Sequence, residues 1–234
     1  MSDDEELSLR IVGIEPGGEP AGAELAGGRS LRLLTTRGEI PLIVHEAPGA
    51  HEAPGAHEAQ ATGRAVVCIS GALGGFDGPG KLYVRLGQEM PERGIAVVRL
   101  NYRMPNEFGE CVLDTMAGLA FAKATHHERA ALIGHSFGGA VAINAGTLAP
   151  AVTTVVAISS QLYGAHVVAE LAPRPLLLLH GTADTILPHE CSERLYERAQ
   201  EPRTLKLFAG VGHRFSEAPG ELLETVREWL LARP

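Results

Sequence analysis

The sequence lacks the features that identify several classes of protein. Only three of its 234 residues are cysteines, Cys68, Cys111 and Cys191, and no Cys-x-x-Cys pair occurs. A disulfide framework or a cysteine-based metal cluster needs more thiols at closer spacing. We therefore expect three reduced thiols without a redox or metal-binding role.

Clusters of basic residues are also missing. The net charge is -8 at pH 7, and binding to nucleic-acid phosphates depends on grouped Lys and Arg side chains, so we expect no nucleic-acid partner. Neither a Walker-type phosphate loop nor a Gly-x-Gly-x-x-Gly fingerprint occurs, which argues against nucleotide binding. The acidic balance is typical of a solubilising surface.

Long apolar runs are absent as well. No stretch approaches the roughly 20 apolar residues that a membrane-spanning helix needs. The acidic residues 1–6 contain no apolar core of a secretory signal. We expect these residues to form a frayed terminus and the protein to be cytoplasmic, without a membrane partner.

Short apolar runs alternate with helical patterns along most of the chain. The predicted strands are residues 7–14, 29–36, 39–45, 65–70, 95–100, 130–133, 153–158, 175–180 and 204–208. The predicted helices are residues 81–90, 111–124, 137–148, 189–199 and 220–231. The length suits a single domain over residues 1–234. We expect an α/β fold with antiparallel N-terminal strands, a mostly parallel central sheet and helices on both faces, with ligands at the carboxyl ends of the strands.

Residues 45–59 contain an internal repeat of the unit His-Glu-Ala-Pro-Gly-Ala. Its histidines and glutamates are metal-ligand types, but Pro and Gly in the repeat favour a loop that would have to be ordered before it could hold a closed ligand set. We expect an expanded surface loop that binds no metal.

The stretch 130–140 carries the strongest functional signal. A buried strand at 130–133 runs directly into Gly134-His135-Ser136-Phe137-Gly138 and then into a helix of small residues. This pattern predicts a nucleophile elbow, in which a strained turn holds the serine and the residues two before and two after it must lack side chains. The N-terminus of the following helix directs backbone N–H groups at an oxyanion beside Ser136.

The hydroxyl of Ser136 needs a base to take its proton and a carboxylate to orient that base. Asp184 follows the predicted strand 175–180, and His213 follows the predicted strand 204–208. Both residues therefore fall in loops at the edge of the sheet where Ser136 is expected. We assign Asp184 as the acid and His213 as the base.

Other residues fit these roles less well. His135 is expected to point away from its serine neighbour, and His180 ends a predicted strand. Asp77 and Asp114 precede the elbow in the chain and are interpreted as cap or loop residues.

An oxyanion hole needs a second N–H donor besides that of Phe137. This donor is expected on the loop after the strand 65–70, where residues 71–78 are rich in glycine and allow the backbone to approach a substrate carbonyl. We predict that the donor is Ala72, with Leu73 as the alternative.

These motifs resemble those of α/β-hydrolase-fold enzymes. The sequence is similar in particular to small dienelactone-hydrolase-like and prolyl-oligopeptidase-like serine hydrolases, through residues 71–75, 134–139, 180–184 and 212–213. The resemblance covers the chain from roughly residue 30 onward and implies a Ser-His-Asp hydrolase. Dienelactone hydrolases proper have a cysteine at the elbow where this chain has Ser136, and many relatives have His-Gly where it has Ser70-Gly71.

We therefore expect a serine hydrolase that cleaves a small carboxylic ester through an acyl-enzyme, without a metal or organic cofactor. No long insertion separates residues 158 and 175, so we expect no large lid domain and favour a small, soluble acyl substrate over aggregated lipid. A thioesterase or a peptidase using the same residues is an alternative. A binding module that keeps the fold without catalysis is another, and the oligomeric state is left open.

Overall fold

The structure is a computed structural model, and it describes residues 8–20, 23–46 and 63–233. The predicted frayed terminus, residues 1–6, lies outside the described residues, as does most of the predicted surface loop at 45–59. His45 belongs to both the predicted strand 39–45 and the predicted loop 45–59; it ends a strand and is buried, with 4% of its surface exposed, so the strand prediction is confirmed for it and the loop prediction is wrong at this residue.

The described residues form one mixed sheet of nine strands. The strands are β1 (Ile11–Pro16), β2 (Arg29–Thr35), β3 (Gly38–His45), β4 (Arg64–Ile69), β5 (Ile95–Leu100), β6 (Arg129–His135), β7 (Val152–Ile158), β8 (Leu176–Gly181) and β9 (Arg203–Phe208). Their order in the sheet is β1-β2-β3-β5-β4-β6-β7-β8-β9. The pairs β1–β2, β2–β3 and β3–β5 are antiparallel, and every pair from β5 to β9 is parallel. The predicted antiparallel start and mostly parallel sheet are confirmed.

Helices cover both faces of the sheet, as predicted. They are α1 (Leu82–Glu89), α2 (Phe108–Ala124), α3 (Phe137–Leu148), α4 (Glu190–Arg198) and α5 (Pro219–Leu231). Because successive side chains of a strand point to opposite faces, β4 places Val67 and Ile69 in a core with α2, α3 and α4. The same strand places Val66 and Cys68 in a second core with α1 and α5.

Some element boundaries differ from the predictions. Strand β1 begins at Ile11 and runs to Pro16, because its last residues continue to pair with β2 at the edge of the sheet, where proline is tolerated. Helix α2 begins at Phe108, three residues before its predicted start. Helix α4 was predicted to begin at residue 189, but it begins at Glu190 and His189 is its N-cap.

The connection between β7 and β8 contains only a short 3-10 helix, Val168–Leu171. No lid domain occurs within the described residues, which confirms that prediction. None of the helices described in the structure is long and apolar enough to cross a membrane.

A fully buried arginine joins the loop after β4 to the rest of the molecule. Arg99, on β5, donates from Nε to the carbonyl oxygen of Phe76 at 2.8 Å and from Nη2 to Oδ1 of Asp77 at 2.6 Å. Its Nη1 donates to the carbonyl oxygen of Glu24 at 2.6 Å. Asp77 is thus a loop contact, as predicted, and the loop is held from the core side.

The Arg99→Met variant should lose about 3 kcal/mol of unfolding free energy, because removing one partner leaves buried acceptors and the Asp77 carboxylate without their donor. Urea denaturation followed by circular dichroism measures this loss. The matched control is Arg32→Met, since Arg32 pairs with Glu15 and Glu39 on the surface and such pairs contribute about 1 kcal/mol or less. Equal losses in the two variants would contradict the role given to Arg99.

Candidate active site

Ser136 lies in the sharp turn between β6 and α3. Its φ of 58° and ψ of -120° lie in a region that side-chain-bearing residues rarely adopt. Its amide donates to the carbonyl oxygen of Ile158 at 2.8 Å, and its carbonyl accepts from the amide of Gly139 at 3.0 Å. The strained turn is therefore fixed from both sides, by β7 and by the first turn of α3.

The glycines on either side of Ser136 are required by backbone contacts. A Cβ atom at Gly134 would lie 1.9 Å from the carbonyl oxygen of Gly138, and one at Gly138 would lie 2.2 Å from the carbonyl oxygen of Ser70. A Cβ atom at Gly139 would lie 2.7 Å from Cβ of Ser160. These distances confirm that the elbow needs residues without side chains at 134 and 138, and that Gly139 allows close packing of α3.

Asp184 follows β8 and has no exposed side-chain surface. Its Oδ1 accepts hydrogen bonds from the amides of Ile186 and Leu187 at 2.8 and 2.9 Å. Its Oδ2 lies 2.7 Å from Nδ1 of His213. Burial raises the pKa of Asp184, but these hydrogen bonds outweigh it and hold the pKa below its usual value. Asp184 is therefore a carboxylate at neutral pH.

His213 follows β9, and 11% of its side-chain surface is exposed. Because a carboxylate oxygen only accepts hydrogen bonds, Nδ1 of His213 carries the proton in this contact. Its Nε2 has no hydrogen-bond partner among the residues that the structure describes. The loop is held against β8, since the amide of Ala183 donates to the carbonyl oxygen of Val211 at 3.0 Å.

His135, the residue before Ser136, contacts this same loop. Its Nε2 lies 2.9 Å from the carbonyl oxygen of His213, and the two rings are 4.7 Å apart between centroids. Burial, with a smaller contribution from the neighbouring His213, lowers the pKa of His135 to about 4. His135 is therefore a neutral donor that supports the backbone of His213, a role that was not predicted.

An open cavity of about 710 Å³ lies along the loops that carry these residues. It is lined by residues 70–81 together with His135, Ser136, Ile186, His213, Arg214 and Ser216. Ser136 and His213 thus face one cavity, and Asp184 lies outside its lining, in contact with His213. Leu73 and Ile186 bring apolar side chains to the cavity that are 90% and 68% exposed.

The predicted second oxyanion donor lies on the turn that follows β4. The amide of Gly74 donates to the carbonyl oxygen of Gly71 at 3.0 Å, which places Ala72 and Leu73 at the centre of this turn. A Cβ atom at Gly71 would lie 3.8 Å from Cβ of Ser136. The turn is therefore a neighbour of Ser136, and the choice between the two amides stays a prediction.

The base of this turn is held by buried side chains. The hydroxyl of Tyr83 donates to the carbonyl oxygen of Ile69 at 2.9 Å, and that of Tyr102 donates to the carbonyl oxygen of Ser70 at 3.1 Å. The start of the loop is thus held by contacts within the protein. Asp114, which was interpreted as a cap or loop residue, accepts a hydrogen bond from the amide of Arg103 at 2.8 Å and is a structural contact.

Sequence reasoning missed the environment of His180. Its Nε2 lies 3.1 Å from Oδ2 of Asp184, and its Nδ1 lies 2.7 Å from Oγ of Ser192. The signal was present in the spacing, since His180 ends a strand and Asp184 follows four residues later. That spacing alone does not distinguish a contact from two unrelated loop residues.

Among the described residues, no group of three or more His, Cys, Asp or Glu side chains is arranged to hold a metal ion. Of the repeat at 45–59, only His45 and Glu46 belong to the described part of the chain.

Comparison with known structures shows the fold class. A serine hydrolase homologue from Coxiella burnetii superposes with a TM-score of 0.70 at 19% identity, over 85% of this chain and 96% of that one. A dienelactone hydrolase from Anabaena variabilis superposes with a TM-score of 0.69 at 16% identity, over 88% of this chain and 99% of that one. The chain therefore has the α/β-hydrolase fold.

Sequence comparison places the chain within this fold class. The family model described as dienelactone hydrolase family matches residues 81–226, and the chain belongs to this family. A segment of 61 residues is also 41% identical to the uncharacterized protein YfhR of Escherichia coli. That match covers 25% of this chain and only 22% of YfhR.

The Gly138→Ala variant should lose about 3 kcal/mol or more of stability, because the added methyl group meets a backbone oxygen of the neighbouring loop that cannot move aside. The control is Gly109→Ala, since Gly109 lies in the first turn of α2 with no atom within 4 Å of an added Cβ. There alanine should be neutral or stabilise the helix by up to about 1 kcal/mol. Thermal unfolding of both variants checks this, and equal melting temperatures would contradict the geometry of the elbow.

Proposed function

We propose that the protein is a serine hydrolase that cleaves a small carboxylic ester. In this proposal Ser136 is the nucleophile, His213 is the general base and acid, and Asp184 orients His213. The observation that carries it is the 2.7 Å contact between Asp184 and Nδ1 of His213, with His213 and Ser136 facing the same cavity. Membership of a hydrolase family supports the same conclusion.

The chemistry is acyl transfer to water. Oγ of Ser136 attacks the ester carbonyl carbon while Nε2 of His213 takes the hydroxyl proton. The backbone amides of Phe137 and Ala72, or Leu73 in place of Ala72, hold the negative oxygen of the tetrahedral intermediate. His213 then protonates the departing alcohol, and water attacks the acyl-enzyme by the same steps to release the acid and restore the serine. No metal or organic cofactor takes part in these steps.

The form of the cavity supports a small substrate. It is open, it has no lid among the described residues, and Leu73 and Ile186 offer exposed apolar side chains in the cavity that Ser136 also lines. These features favour a short, accessible acyl chain over aggregated lipid. The serine at the elbow separates this chain from dienelactone hydrolases that use cysteine. The proposed substrate is therefore a small carboxylic ester other than a dienelactone.

The Ser136→Ala variant should lose turnover of p-nitrophenyl acetate and butyrate on the order of a million-fold, because the three residues act as a unit. A fluorophosphonate probe, which labels activated serines, should label the unsubstituted protein and leave the variant unlabelled.

The control for this experiment is Ser216→Ala. Ser216 lines the same cavity but has no part in the proposed steps, so its removal should leave turnover and labelling intact. Unchanged turnover in Ser136→Ala would end the proposal. A folded, unlabelled and inactive unsubstituted protein would favour the binding-module alternative.

The substrate class is tested by comparing kcat/KM for a butyryl ester, a butyryl-coenzyme A thioester and a butyryl amide. We expect the ester to be the preferred substrate, because its leaving group needs less assistance than an amine and the cavity is open. A higher kcat/KM for the thioester or the amide would instead support the thioesterase or peptidase alternative. Inactivity of the Ser136→Ala variant towards all three assigns each activity to the same site.

A further inference from the structure

A second buried histidine contacts the candidate site without taking part in the proposed steps. His180 lies near the end of β8, is fully buried and is absent from the lining of the cavity. Its Nε2 lies 3.1 Å from Oδ2 of Asp184 and 3.0 Å from the carbonyl oxygen of Leu187. Its Nδ1 lies 2.7 Å from Oγ of Ser192, on α4.

These contacts determine the protonation of His180. A carboxylate and a carbonyl oxygen only accept hydrogen bonds, so Nε2 carries a proton and is shared between Asp184 and Leu187. The hydroxyl of Ser192 then donates to an unprotonated Nδ1. Burial lowers the pKa of His180, against the opposing effects of the Leu187 carbonyl and the Asp184 charge. The ring is therefore neutral at neutral pH, with its proton on Nε2.

The carboxylate of Asp184 consequently receives four N–H groups. Its Oδ1 accepts from the amides of Ile186 and Leu187, and its Oδ2 accepts from both His213 and His180. The two amides fix one oxygen and the loop around it. The His180 donor acts on the other oxygen, the one that binds His213.

We propose that His180 is a positioning residue whose Nε2–H holds the Asp184 carboxylate in the orientation that binds Nδ1 of His213, with Ser192 fixing its tautomer. The inference rests on the proposed function, because a positioned Asp184–His213 pair matters for turnover only if that pair serves Ser136. Small misplacements of a catalytic pair can lower turnover by about a hundredfold.

Among the described residues, few other titratable or charged groups interact electrostatically with the Asp184–His213 pair. His135 and Cys191 both interact with the Asp184 charge, and Arg214 acts on His135. Burial lowers the pKa of His135 to about 4 and raises the pKa of the Cys191 thiol, so both are neutral at neutral pH. None of them is changed in the variants below, so a shift in pH profile is attributable to position 180.

The test compares His180→Leu, which removes the donor, with His180→Gln, whose side-chain amide retains an N–H donor. Turnover of p-nitrophenyl butyrate is expressed per serine labelled by the fluorophosphonate probe, so that misfolded molecules are not counted. We expect kcat to fall about ten- to a hundredfold in His180→Leu with KM unchanged, because His180 does not line the cavity. His180→Gln should recover most of the loss.

The pH profile gives a second readout that a merely structural role would not move. Losing one N–H donor removes stabilisation of the Asp184 charge, so the pKa of Asp184, which hydrogen bonds hold below its usual value, rises. The acid limb of kcat/KM should therefore shift to higher pH in His180→Leu and return towards its original position in His180→Gln.

The matched control is His45→Leu, which removes another buried histidine that does not line the cavity. It should leave kcat per labelled serine and the pH profile unchanged. Equal losses in His45→Leu and His180→Leu, or an unshifted profile and full turnover in His180→Leu, would overturn the positioning role.

A measurement on the unsubstituted protein keeps the inference testable if His180→Leu does not fold. Nitrogen-15 spectra of histidine-labelled protein should show a ring, missing in His180→Gln, that stays neutral with its proton on Nε2 throughout the active pH range; the ring of His135, which also donates from Nε2, remains in that variant. Finding the ring of His180 cationic, or protonated on Nδ1, would overturn the inference. Full activity in Ser136→Ala would instead reject the proposed function, independently of His180.

Discussion

The hydrogen bond between Oδ2 of Asp184 and Nδ1 of His213 joins the loops that follow β8 and β9. A buried carboxylate is costly unless hydrogen bonds replace its water, and Asp184 meets that demand with backbone amides on one oxygen and two imidazoles on the other. The same contacts that make its burial acceptable also give His213 a single tautomer. One set of hydrogen bonds therefore both compensates for the burial of Asp184 and orients His213.

The parallel part of the sheet explains why distant residues meet. Strands β4, β6, β8 and β9 run in the same direction, so the loops that follow them lie at one edge of the sheet. Ser136 reaches that edge through a strained turn, which close backbone packing at Gly134 and Gly138 holds in place. Arg99, Tyr83 and Tyr102 hold the neighbouring loop from the core side. The candidate site is thus fixed by buried contacts while one side stays open.

Several features were predictable because they follow from local chemistry. The Gly-x-Ser-x-Gly turn, the boundaries of β5 and α3, and the placement of Asp184 and His213 just after strands all depend on short stretches of sequence. The roles of His135 and His180 were not predictable, since each depends on a partner that another loop supplies. The start of α2 was misplaced because helix ends depend on tertiary contacts as much as on the residues at the boundary.

The amino-acid sequence by itself determined the alternation of strands and helices, the strained serine turn and the chain order of serine, aspartate and histidine. Only the tertiary structure decided which atoms meet: the 2.7 Å contact of Asp184 with His213, the sharing of Oδ2 with His180, and the burial of His45. The physical reason is the separation along the chain over which each kind of interaction acts. Periodicity and turn chemistry act between neighbours along the chain, whereas hydrogen bonds between loops exist only after the sheet has brought its strand ends together.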